Sequence, residues 1–179
     1  MISNTCNRRE FLGRAVASGA GVALGMGSLS RAADDPAGNK DWLSTPNAEK
    51  RGWLICCQLY TFRDRTFYEA LGVLANMGVR RVEPAFFLPL SKEQPELKTS
   101  EALPQDKRRE MKLRMSDLGI TMPNYYAPLE GDKGAYRKIF DFAKEMDVET
   151  IVAEPPPEVF ETLDGLCQEY RINLAIHNH

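Results

Sequence analysis

The sequence is poor in the side chains that carry most metal and acid–base chemistry near neutral pH: two histidines and four cysteines in 179 residues. Cys6, Cys56, Cys57 and Cys167 contain no Cys-x-x-Cys spacing, which excludes a zinc ribbon or a disulfide scaffold. Cys56 and Cys57 lie inside an apolar run, and adjacent strand residues point to opposite faces, so they read as two small buried side chains. There is no excess of basic residues either: 23 Lys and Arg stand against 25 Asp and Glu. That balance excludes the broad basic face that would hold nucleic acid or an anionic membrane. The turn after the first apolar run, Tyr60-Thr61-Phe62-Arg63-Asp64-Arg65, lacks a glycine cradle for phosphates, which removes the main support for a dinucleotide-binding fold. A membrane anchor is also excluded, because the apolar stretch at residues 15–29 falls short of a comfortable span of about 20 residues.

What that stretch does supply is an address. Asn7-Arg8-Arg9-Glu10-Phe11-Leu12-Gly13, then a Gly- and Ala-rich apolar middle and Ser30-Arg31-Ala32, resembles a twin-arginine export signal with its small-x-small cut. Five glycines between Gly13 and Gly27, each costing roughly 1 kcal/mol against Ala in a helix interior, argue against an ordinary buried helix. The resemblance implies the twin-arginine export machinery as a partner and a periplasmic or otherwise exported protein. It also implies passage in the folded state, a route that allows a metal or cofactor to be loaded beforehand. The expected divisions are 1–32 signal, 33–51 linker, rich in Pro, Gly and Asn, and 52–179 folded domain. Removing the signal takes Arg8, Arg9, Arg14 and Arg31 of the 23 basic residues and Glu10 of the 25 acidic ones, leaving 19 against 24 and a net charge of −5.

The domain alternates. Residues 53–60 are a nearly continuous apolar run, predicting a strand, and residues 66–77 carry apolar positions at Phe67, Ala70, Leu71, Leu74 and Met77, predicting a helix. Thr66 with Glu69 three residues on has the form of a capping box, and Gly78 stands where a helix C-cap belongs. The pattern repeats as strand 81–87, a polar excursion with Pro89, Pro95 and Pro104, helix 105–118, strand 120–126, helix 134–146, strand 149–153, helix 157–170 and strand 173–177. Strict alternation predicts α/β architecture with a parallel sheet and right-handed crossovers. An open doubly wound sheet and part of an eight-stranded barrel compete. The missing phosphate cradle favours the barrel, of which this chain would hold about five strands, since eight units need about 250 residues.

In a parallel barrel the working residues lie at the carboxyl ends of the strands. These are Gln58 and Tyr60, Glu83, Asn124 and Tyr125, Glu154, and His177, Asn178 and His179. All five ends are polar, and both histidines of the chain fall there. His177 and His179 are two apart on a strand and so share a face, where imidazoles can share a divalent metal, with Glu154 one strand away as an anionic ligand or base. Glu83, followed by Pro84, has a rival role in tying adjacent loops together.

These residues resemble a known family. Gln58-Leu59-Tyr60 after an apolar strand, Gly78-Val79-Arg80-Arg81-Val82-Glu83, Gly119-Ile120 and Ala175-Ile176-His177-Asn178-His179 look like the xylose-isomerase-like barrel proteins, the sugar phosphate isomerase/epimerase group also related to endonuclease IV. The resemblance covers about residues 52–179. It implies a TIM barrel holding Mn2+, Mg2+, Co2+ or Zn2+ at its carboxyl end, with a pair of glutamates moving a proton beside a sugar carbonyl. His177 stands where the isomerase pattern has a glutamate, and that pattern takes further ligands from the sixth to eighth strands.

The expectation is therefore an exported sugar (phosphate) isomerase or epimerase, present as the N-terminal part of a barrel and acting on a small carbohydrate. On this reading Glu154 is catalytic and a metal ligand, His177 a metal ligand, and Gln58, Glu83, Asn124 and His179 bind substrate. A carbohydrate-binding barrel without catalysis is the alternative from another class. An endonuclease IV-like phosphodiesterase comes last, because the domain is acidic.

Overall fold

A computed structural model describes residues 45–178. The signal, residues 33–44 of the linker and His179 lie outside the described residues. The described chain begins with a single helical turn, α1 (Pro46–Glu49), whose proline occupies a first-turn position where no N–H is needed. Four longer helices follow, each with a local reason to start or stop. In α2 (Phe67–Asn76) the predicted capping box is complete: the Thr66 hydroxyl accepts from Glu69 N and the Glu69 carboxylate accepts from Thr66 N. The helix ends before Gly78 at φ 78°, a left-handed position natural to glycine. The helix α3 (Gln105–Asp117) follows Pro104 and ends before Gly119 at φ 62°. The Asp132 side chain caps α4 (Lys133–Glu145) by accepting from Ala135 N at 2.9 Å, and α5 (Phe160–Tyr170) is entered through a 3-10 turn, Pro157–Val159.

The five strands are β1 (Cys57–Gln58), β2 (Val82–Glu83), β3 (Asn124–Tyr126), β4 (Thr150–Ala153) and β5 (Asn173–Ile176). They come at the predicted places but are shorter than the apolar runs that announced them. Residues 59–62 of the first run wind into a 3-10 helix, Leu59–Phe62, while Trp53, Leu54 and Ile55 are 63%, 58% and 44% exposed. Apolar sequence there did not become paired strand because β2 offers partners only from Cys57 onward.

All pairing between the named strands is parallel. Strand β1 lies on β2, and β3, β4 and β5 form a three-stranded sheet in that order. Between β2 and β3 only two separate bridges form, Arg81 with Thr121 and Ala85 with Tyr126. The interruption has a chemical cause: Pro84 and Pro123 lie in the gap, and neither has an N–H to donate to a ladder. On either side the bonds resume, Val82 N to Thr121 O at 3.0 Å and Tyr126 N to Pro84 O at 2.9 Å. The strands thus follow one another in chain order, as an α/β barrel wall requires.

Alternation along each strand sorts the two faces. Tyr125, Ile151 and Ala153 are fully buried on the helix side, with Phe67, Leu71, Met111, Phe140 and Phe142. Asn124, Tyr126, Thr150 and Val152 take the other face and are only half-buried. The helix α3 is largely polar and buries only Met111 and Met115, so polar anchors secure it. Arg108 donates to Leu103 O and to Glu145 and lies over the Phe142 ring at 5.3 Å, while Lys112 donates to Glu145 O and Asp147 at 2.7 Å each. The excursion after β2 is equally well held. Its Leu88, Leu90, Thr99 and Leu103 are buried, and its Pro89 and Leu90 carbonyls accept from Phe67 N and Tyr68 N, two donors that the first turn of α2 cannot satisfy internally.

Candidate functional site

Two groups of polar side chains open onto the face away from the helices. The first lies on β1 and β2. Register places Gln58 opposite Glu83, and Gln58 Nε2 donates to Glu83 Oε1 at 2.8 Å. Glu83 is only 9% exposed, and a carboxylate that deep is costly to keep charged without hydrogen bonds, which is the service Gln58 performs. Cys56 is two residues before Gln58 and shares its face. Its thiol is pushed up to about 12, first by burial and then by the negative charges of Glu83 and Cys57, with Arg81 acting the other way. It stays protonated, although Cys56 and Cys57 are only half-buried rather than fully buried as the sequence suggested.

The second group joins three strand ends. Tyr126 closes β3, Glu154 follows β4, and His177 follows β5. The last pair in the β4–β5 register is Ala153 with Ile176, so Glu154 and His177 emerge side by side. The Tyr126 hydroxyl donates to Glu154 Oε1 at 2.9 Å, and His177 Nε2 stands 4.0 Å from that same oxygen. The Tyr126 and His177 rings are 5.1 Å apart and tilted by 52°. The Tyr126 phenol is raised above its ordinary value by burial first, then by its hydrogen bond to Glu154 and that carboxylate's charge.

The structure therefore brings Glu154 and His177 together, and separately Gln58 and Glu83. Asn124 joins neither group: it is the first residue of β3, opposite Thr150, rather than at the strand's carboxyl end. Tyr125, also expected at that end, points the other way. It is fully buried against Phe142, ring to ring at 5.1 Å, in register with Ile151. The rim residue is Tyr126, which sequence reasoning missed because the phase of alternation is set by the register with β4. His179, expected to bind substrate, lies outside the described residues.

No three of histidine, cysteine, aspartate and glutamate gather as a metal-binding group among the described residues. Glu154 and His177 nevertheless suit a shared ion in kind and spacing. Their donor atoms are 4.0 Å apart, within twice a usual metal–donor bond of about 2.1 Å, and an imidazole beside a carboxylate suits zinc or manganese.

The same arrangement of strands and helices occurs in solved structures. The chain is similar to an uncharacterised protein from Parabacteroides distasonis, with 25% identity and a TM-score of 0.66 over 71% of this chain and 53% of that one. It is similar to a sugar phosphate isomerase/epimerase from the same organism, with 15% identity and a TM-score of 0.53 over 70% of this chain and 51% of that one. It is also similar to the probable 3-DHS dehydratase involved in petrobactin synthesis from Bacillus anthracis, with 12% identity and a TM-score of 0.50 over 70% of this chain and 52% of that one. No protein-family profile and no curated protein matches the chain. The fold is a partial α/β barrel with parallel strands. The chain spans about half the length of the solved structures it resembles.

Proposed function

We propose that this chain belongs to an exported, metal-dependent isomerase or epimerase that moves a proton beside the carbonyl of a small carbohydrate. The observation that carries the reading is the meeting of Tyr126, Glu154 and His177 at the carboxyl rim of parallel strands, in a fold shared with a sugar phosphate isomerase/epimerase. Export rests on the twin arginines and the apolar segment after them.

Glu154 and His177 would hold a divalent cation, Mn2+, Mg2+, Co2+ or Zn2+, with other ligands from outside this group. The ion would supply positive charge against the enediolate that forms when a proton leaves the carbon beside a carbonyl. Tyr126 donates to Glu154 Oε1, the oxygen that also faces His177, and so fixes the direction in which the carboxylate would meet the cation or take the proton. Gln58 and Glu83 offer a donor and an acceptor to sugar hydroxyls, and Asn124 does so from the same inner face, lower on β3.

The reading is tested by incubating the protein with divalent metal and a panel of reducing sugars and their phosphates in heavy water, and following deuterium uptake beside the carbonyl by NMR. The wild type is expected to exchange with at least one sugar. Glu154→Gln should lower exchange by about 100-fold, in the range of a lost acid–base group. His177→Ala should weaken metal binding by about 10-fold or more, read by elemental analysis after dialysis. No metal in the wild type, or the same occupancy in both variants, would remove catalysis and leave a carbohydrate-binding barrel.

A further inference from the structure

The aromatic side chains divide by position. Phe67, Tyr125, Phe140 and Phe142 are fully buried on the helix side of the strands. Tyr60, Phe86, Phe87 and Tyr126 are not: Tyr60 is 51% exposed and the other three are half-buried. The half-buried rings lie at the end of the strands where the polar groups also lie.

They form one series. Tyr60 meets Phe87 at 6.1 Å edge to face, Phe87 meets Phe86 at 5.3 Å, Phe86 meets Tyr126 at 6.0 Å, and Tyr126 meets His177 at 5.1 Å. The series runs from beyond β1 across the ends of β2 and β3 to the end of β5. Its middle is fixed by backbone: Phe86 N donates to Tyr126 O at 3.1 Å, and the buried Thr99 hydroxyl donates to Ala85 O at 2.7 Å just before the two phenylalanines. Carboxylates stand on both sides, Glu83 with Gln58 toward β1 and Glu154 beside Tyr126. At the outer end the Arg63 guanidinium lies over the Tyr60 ring at 4.6 Å, while Phe86 and Phe87, edge to face at 84°, pack partly against the core and keep part of their surface exposed, as Tyr126 does.

We propose that these rings are a stacking platform for the closed ring of a sugar, so that the carbohydrate binds in cyclic form with its hydroxyls turned to Glu83 and Glu154. This deepens the carbohydrate reading and rests on it. A pyranose presents several C–H bonds on one face, and their weakly positive hydrogens suit the negative face of an aromatic ring, while its hydroxyls project around the edge toward acceptors. An open-chain polyol has no such continuous apolar face and loses more rotational freedom on binding.

The test sets methyl pyranosides of glucose, galactose, mannose and xylose, which cannot open, against the matching alditols, with the full-length wild-type protein and saturation-transfer NMR. At least one glycoside should bind with saturation concentrated on its ring C–H protons, and its alditol should bind about 10-fold more weakly or not at all. Phe86→Leu with Phe87→Leu keeps apolar bulk but removes the π faces, and should weaken the glycoside about 10-fold, whereas Phe86→Tyr with Phe87→Tyr should retain it. Equal binding of glycoside and alditol, an unchanged affinity in the leucine pair, or no glycoside bound would overturn the platform. The two readings separate: ring-selective binding without deuterium exchange keeps the platform and removes the isomerase, and exchange without ring preference does the reverse.

Discussion

Tyr125 and Tyr126 show how much one position along a strand decides. Tyr126 reaches the rim and donates to Glu154, while the neighbouring phenol is driven into the core, where its hydroxyl is buried with no hydrogen-bond partner. Burial, with the charge of Glu101 nearby, raises the Tyr125 phenol well above its ordinary value. A buried unsatisfied hydroxyl costs about 1–3 kcal/mol, and the ring contact with Phe142 does not need it. Tyr125→Phe is therefore expected to leave stability unchanged or raise it by up to about 1 kcal/mol, read from the midpoint of urea unfolding. A loss of more than about 1 kcal/mol would show that the hydroxyl has a partner, such as a bound water. The tyrosine pair was legible as aromatic strand sequence, but which of the two faced the site was not, because the phase of alternation depends on the register with β4.

At the scale of elements, the helices were readable because their signals are local. Thr66, Glu69 and Gly78 announce α2 from both ends, and the structure places each in the predicted role. The Glu69 carboxyl is held down at about 2, first by its hydrogen bond with Lys92 and then by those from the Thr66 backbone and hydroxyl. Because its folded value lies below its ordinary 4.5, the stability it contributes is present above about pH 4.5 and is lost as pH falls toward 2. Thr66→Ala should cost about 1 kcal/mol at pH 7 and should flatten the acid dependence in that window. Urea unfolding at pH 7 and pH 3 measures both, and an unchanged acid dependence would deny the capping box its part. Strands were less readable. The runs at 53–60, 81–87 and 120–126 shortened to Cys57–Gln58, Val82–Glu83 and Asn124–Tyr126, because a strand exists only where a neighbour supplies donors and acceptors. Pro84 and Pro123 withdraw donors at the β2–β3 seam, a conflict visible only once the two segments are known to be neighbours.

For the whole molecule, the described strands leave two open edges. Strand β1 pairs only with β2 and β5 only with β4, and exposed apolar side chains lie on or next to both, Trp53, Leu54 and Ile55 beside one and Ile176 at the other. Unpaired edges beside apolar side chains invite association. The 179-residue chain expressed alone is expected to self-associate or to be poorly soluble, checked by light scattering after size-exclusion chromatography. A monodisperse monomer with one sharp unfolding transition would contradict this. Targeting belongs to the same scale: Arg8→Lys with Arg9→Lys should block export and leave the domain's unfolding unchanged. Reporter fractionation decides it, and export of the double variant would overturn the assignment.

From the sequence alone came the order of strands and helices, the helix caps, the carboxyl-end positions of Glu83, Glu154 and His177 and the resemblance to xylose-isomerase-like barrels, because each depends on residues close together in the chain. Only the tertiary structure decided which of these ends meet. Glu154 and His177 come together through the β4–β5 register, Gln58 takes Glu83 through the β1–β2 register, and Asn124 is left at the start of its strand. Pairing of this kind depends on hydrogen bonds between segments some 25 residues apart, as with Gln58 and Glu83, and one step of slip turns every side chain to the opposite face.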